Sequence, residues 1–217
     1  MAQSEYTKTL NKLQSIVHKE LKVQGFEKKG RTHNKVVENG LVHVINFQSG
    51  EYPIGGNYVI PSIRESLYGQ FAVNLGVFVS DIYEVTNKPL EKNFIPEYIC
   101  QIRVRLAELT KSEDHWWTVG ENYMDVANEI ISGVNEQAVD WFLHFSSREK
   151  TIESLQDESI PNLNARIGKL NAALIQLKSN RQAGEKLLKE YYHLRSDHKP
   201  HQESVQGLAK MIGVQID

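Results

Sequence analysis

The dipeptide Asn39-Gly40 constrains this chain more than any other feature. It stands between two runs rich in β-forming residues, Lys35 to Glu38 and Leu41 to Gln48. Asn-Gly between such runs is the strongest short hairpin signal, because both central positions of the tight turn favour φ > 0. An antiparallel pair is therefore expected early in the chain, with a side-chain period of two that the later strands should share. Another strand is expected over Gln70 to Val79. One more strand, or a short helix, is expected over Tyr98 to Leu109.

Elsewhere the period is helical. Tyr6, Leu10, Leu13, Val17 and Leu21 recur at spacings of three and four, with Ser4 placed as N-cap and Gly25 where such a helix stops. Tyr123, Val126, Ala127, Ile130, Ile131 and Val134 form a second stripe, and Ala138, Trp141, Phe142 and Phe145 a third. Ser159-Ile160-Pro161 reads as a fresh helix start, followed by a seam of Leu163, Ile167, Leu170, Leu174 and Leu177 and by further helices to the end. The fold class expected is α+β: an antiparallel meander packed with helices, then a C-terminal helical hairpin region. The expected division is an α+β domain over 1–150 and a helical subdomain over 151–217.

Composition narrows the function classes. The chain has 217 residues, 40% hydrophobic and 24% charged, which is enough for a substantial core without staples. A formal net charge of -2 argues against a generic nucleic-acid or membrane-surface binder. The single cysteine, Cys100, fits a reducing compartment and reads as a packed core thiol. The stretch MAQSEYTKTLNKLQ lacks the apolar run of a signal peptide, and no long apolar span follows, so a cytoplasmic setting without membrane contact is expected.

The chain resembles a known family at several ordered stretches. These are Gly25-Phe26 followed by Lys28-Lys29, then Val42 to Gln48 (VHVINFQ), then Phe71 to Val77 (FAVNLGV). Cys100 to Leu109 (CQIRVRLAEL) and Trp116-Trp117 follow. Together they resemble the uncharacterised, mainly bacterial domain of unknown function 4304, over roughly residues 5 to 145. The family pattern reads Cys-His-x-Arg at its third element, where this chain has Gln101, so no role for a histidine there carries over. The resemblance implies an architecture, not a reaction.

One face of the expected sheet is polar. Alternation sets Asn46 and Gln48 opposite Ile45 and Phe47, Asn74 opposite Val73 and Leu75, and Gln101, Arg103 and Arg105 opposite Ile102 and Val104. Guanidinium forks recognise carboxylate or phosphate, and carboxamides read backbone amides, so Asn46, Gln48, Asn74, Arg103 and Arg105 are candidate binding residues. The bland alternative is a solvated sheet face. Trp117, or its neighbour Trp116, is a candidate hot spot beside that face, and the Ser49 to Ser62 loop a candidate flap.

No catalytic elbow, metal spacing or cofactor motif is present. The basic run Lys28 to Lys35 reads as a solvated loop and strand edge, and His198 and His201 are not expected to bind metal. The function expected is therefore non-enzymatic binding of a protein partner, with bacterial defence or immunity a setting that no residue carries. The alternative is an enzyme or binder acting on a phosphate-containing or nucleic-acid substrate.

Overall fold

The computed structural model describes residues 4–50, 67–90, 94–157, 159–160, 165–194 and 196–216. Its architecture is α+β, with an antiparallel sheet and C-terminal helices. The chain forms two compact units. The first comprises 1–36, 42–78 and 92–143; the second comprises 37–41, 79–91 and 144–217.

Helix α1 (Glu5–Val23) begins where its sequence places it, with Ser4 Oγ accepting from Thr7 N at 3.2 Å. Leu10, Leu13, Val17 and Leu21 are buried along one stripe. Gly25, at φ 89°, ends it, and Phe26 N reaches back to Leu21 O at 2.9 Å. The strands follow as β1 (Glu27–Lys29), β2 (Thr32–Glu38), β3 (Leu41–Ser49), β4 (Gln70–Val79) and β5 (Ile102–Arg105), in the spatial order β1-β2-β3-β4-β5. A short β6 (Trp117–Thr118) also pairs with β4.

Two expected elements differ in detail. The Asn39-Gly40 hairpin is present, but only Gly40 has positive φ, at 77°. Contacts made elsewhere set this turn: Gly40 O accepts from Ser80 N at 2.8 Å and Asn39 O from Arg148 Nη2 at 2.8 Å. The Tyr98 to Leu109 stretch is both of the expected alternatives in succession. A 3-10 turn (Glu97–Ile99) precedes β5, and helix α3 (Leu106–Thr110) follows it. Tyr98 and Leu106 therefore lie outside the strand.

In the first unit, Ile45, Phe47, Phe71, Val73, Leu75, Ile102 and Val104 form a buried sheet face. Helices α1 and α4 (Tyr123–Gly133) pack together, and α4 runs through a π-turn at Val134–Ala138 into α5 (Val139–Leu143). Val126, Ile130, Val134, Ala138 and Phe142 are all buried at steps of four. In an ideal helix that spacing would drift around the axis; the wider π-turn absorbs part of the drift and keeps the stripe on the core. Phe142 stacks on His43 at 4.4 Å and Phe26 lies 6.1 Å from Phe142.

The second unit contains α2 (Ser80–Tyr83), α6 (Arg148–Ser154), α7 (Ala165–Ser179), α8 (Arg181–His193) and α9 (Lys199–Met211). Its core includes Ala173, Leu188, Tyr191, Tyr192, Val205 and Ala209. Arg148 fastens the hairpin tip within this unit. Its Nε donates to Asp81 Oδ2 at 2.8 Å, its Nη1 to Glu38 Oε2 at 3.1 Å and its Nη2 to Asn39 O. The expected helix start at Ser159-Ile160-Pro161 falls partly outside the described residues, as does Leu163. Among the described residues, no helix is long and apolar enough to cross a membrane.

Candidate functional site

The opposite sheet face of the first unit carries the polar side chains. Alternation places Asn46 and Gln48 of β3 on it, with Asn74 of β4. The β4–β5 register sets Asn74 across from Arg105 and Gly76 across from Arg103. Asn46, Gln48, Asn74, Arg103 and Arg105 therefore share one face, as alternation requires.

This face is not an open solvated surface. The segment from Phe94 to Cys100 crosses part of it. Asn34 of β2 grips Ile95 at two points, donating from Nδ2 to Ile95 O at 2.9 Å and accepting from Ile95 N at 2.6 Å. At the other end a Cβ on Gly76 would lie 2.8 Å from Cys100 Sγ, so only glycine lets the segment lie this close. Burial and the neighbouring Glu97 carboxylate push the Cys100 thiol far above its usual range, which makes it a poor nucleophile. Glu97, itself buried, accepts from Arg103 Nε at 2.6 Å.

The rest of the face is a small polar network. Asn46 Nδ2 donates to Thr32 Oγ1 at 2.9 Å. Asn74, 5% exposed, donates from Nδ2 to Oε1 of the exposed Gln48 at 2.8 Å. Arg105 pairs with Asp114, and its guanidinium lies 5.0 Å from the Trp116 ring centroid. Two arginines and two carboxylates leave the face without net charge. The Gln48 amide protons and the second edges of both guanidinium groups remain as donors.

The two tryptophans part company. Trp117 pairs with Phe71 in the β6–β4 register, is 3% exposed, and donates from Nε1 to Glu129 Oε1 at 3.0 Å. It belongs to the core side of the sheet, and Trp116 is the indole beside the polar face. Gln101 does not extend the face as a strand residue: it precedes β5, and its amide turns back to Ile99 O at 2.9 Å. Glu97 and Asp114 join the site without a signal in the sequence analysis, although Asp114 lies two residues before Trp116.

Other candidates are occupied elsewhere. In the basic run, Lys29 lies 5.9 Å from the Phe94 ring centroid and Lys35 lies 5.9 Å from that of Phe26. Burial lowers Lys28 below the usual lysine range. His43 stacks on Phe142, away from the arginines. In the second unit His198 caps α9 by accepting from His201 N at 3.2 Å, and the His201 ring bonds Tyr191 O at 3.1 Å. Most of the Ser49 to Ser62 loop lies outside the described residues. Among the described residues, no group of three His, Cys, Asp or Glu side chains is arranged to hold a metal ion.

Comparison with known proteins agrees with the resemblance read from the sequence. Residues 17–144 match the family described as Domain of unknown function (DUF4304), more than half of the chain, and the chain belongs to that family. None of the curated proteins and none of the solved structures matches it.

Proposed function

We propose that this DUF4304 member is a non-enzymatic binding module whose polar sheet face takes a polypeptide segment. The observation that carries the reading is the gathering of Gln48, Asn74, Arg103, Arg105 and Trp116 on one face with its charges balanced. A neutral array of amide and guanidinium donors suits a peptide backbone better than a highly charged polymer. An indole stacked on a guanidinium adds apolar area of the kind that anchors interfaces. Asn46 supports the network from Thr32, whereas Trp117 would contribute only through the core.

Among the described residues, the enzymatic alternative has no free base beside the arginines. The carboxylates beside the arginines, Glu97 and Asp114, are each engaged by one of them, and His43 lies against Phe142. The nucleic-acid alternative is disfavoured by the formal net charge of -2. No residue supports a setting in defence or immunity.

Affinity purification of the tagged chain from its native host, with polypeptide and nucleic acid both quantified, tests the reading. Wild type should retain a defined polypeptide that a folded Gln48→Ala/Arg105→Ala variant loses. Retention of nucleic acid instead favours the alternative. Equal retention by both forms, or none by either, contradicts a binding face at these residues.

A further inference from the structure

In the first unit, β6, α3 and α4 line an open cavity of about 310 Å³ bordered in part by Leu106, Thr110, Lys111, Trp117, Glu129 and Gln137. Glu129 Oε1, on its wall, accepts from Trp117 Nε1 at 3.0 Å. The same oxygen is 2.9 Å from Lys111 Nζ, which also lies 5.8 Å from the centroid of the Trp117 ring. An ammonium paired with a carboxylate and lying over an indole face is an arrangement that proteins use to recognise organic cations. Burial works to raise the Glu129 carboxyl, but hydrogen bonds from Lys111 and Trp117 outweigh it and hold the group below the usual range, so it is an anion at neutral pH.

Three local features shape the wall of the cavity. Ser112, directly after Lys111, has φ 58°, a left-handed conformation that costs a serine where glycine would adopt it freely. Gly133 lets α3 approach closely, since a Cβ there would lie 2.9 Å from Thr110 Cγ2. The π-turn begins at the next residue and carries Gln137 to the cavity wall. Such turns recur at ligand sites.

We propose that this cavity is a binding site for an organic cation, an alkylammonium or guanidinium group, and that Lys111, on its wall, is a displaceable partner of the Glu129 carboxylate. An incoming cation takes over the Glu129 carboxylate and the Trp117 ring face, while Lys111, at the end of a short helix, turns away from Glu129. This site is independent of the polar sheet face.

The test monitors the Trp117 indole N–H resonance of the full chain during titration with n-butylammonium at constant ionic strength, with n-butanol as the uncharged control. Lys111→Met keeps the side-chain stem and removes the internal cation, so it should bind n-butylammonium saturably and roughly fivefold more tightly than wild type. Lys111→Met/Glu129→Gln should lose that binding, and n-butanol should compete poorly. Lys111→Ala serves the same purpose if the methionine variant does not fold. Equal affinity in wild type and both Lys111 variants overturns the proposal. So does undiminished binding without the Glu129 charge, or the absence of a saturable shift in every form.

Discussion

Arg148 and Arg105 show two uses of the same side chain. Arg148, in the helical unit, spreads its guanidinium over Asp81, Glu38 and the Asn39 carbonyl, so each of its nitrogens is engaged. Arg105, on the sheet face, makes one ion pair with Asp114 and rests against Trp116. Arg103 resembles it, with Nε on Glu97 and a side chain 49% exposed. An arginine with all its donors used internally ties chain segments together. One with donors to spare holds a place and can accept a ligand.

Stability measurements can break that comparison. Arg148→Met leaves the mostly buried Asp81 carboxylate without its partner and should cost about 3 kcal/mol in denaturant unfolding. Arg105→Met removes only a surface pair and should cost less than about 1 kcal/mol. Comparable losses for the two would erase the distinction.

Acid probes the unit that carries the polar face. His33 is fully buried on β2, with its ring 5.2 Å from that of His18, and neither of its ring nitrogens makes a hydrogen bond of normal geometry. Burial, the His18 ring and Lys28 lower it from 6.5 to about 4, and only the Ile45 backbone favours its charged form. The folded value lies below the unfolded one, so this contribution is complete above pH 6.5 and is lost as pH falls towards about 4. The loss should reach at most about 3 kcal/mol, and His33→Phe should flatten that part of the stability–pH curve. An unchanged curve would show that His33 is not the acid-sensitive group.

A smaller effect sharpens the picture of the face itself. Asn74→Ala removes a buried carboxamide whose partner, Gln48, can turn to water, and should cost about 1 kcal/mol by thermal or denaturant unfolding. Gln48→Ala removes the exposed partner and should change stability by less than about 0.5 kcal/mol. If Gln48→Ala cost more than Asn74→Ala, the pair would be structural rather than available to a ligand.

Much of this arrangement was legible in the residues. Gln70 to Val79 is a strand from end to end because apolar residues recur at every second position, Phe71, Val73, Leu75, Val77 and Val79. Ser4 and Gly25 bound α1 by local chemistry alone. The parallel placement of Asn46, Asn74, Arg103 and Arg105 needed only a period of two and an antiparallel register. What was not legible depends on contacts distant in sequence. Nothing near Asn34 announces that it will hold the backbone of Ile95, so the crossing segment that covers part of the polar face could not be read. The Trp116-Trp117 pair fixed that the indoles diverge. Which one joined Arg105 awaited the pairing of Trp117 with Phe71. The π-turn leaves a trace in the fourfold spacing from Val126 to Phe142, which divides into two stripes when read with a helical period.

The most direct test of the polar face is site-specific photocross-linking in the native host. A benzophenone amino acid at Tyr98, 74% exposed and next to Glu97, reports on the face; one at Met211, 63% exposed on α9, serves as control. A discrete polypeptide adduct from position 98, absent from position 211 and abolished by Gln48→Ala/Arg105→Ala in a folded chain, is the expected result. Adducts that survive that substitution, or that form equally at both positions, would contradict a peptide-binding role for this face.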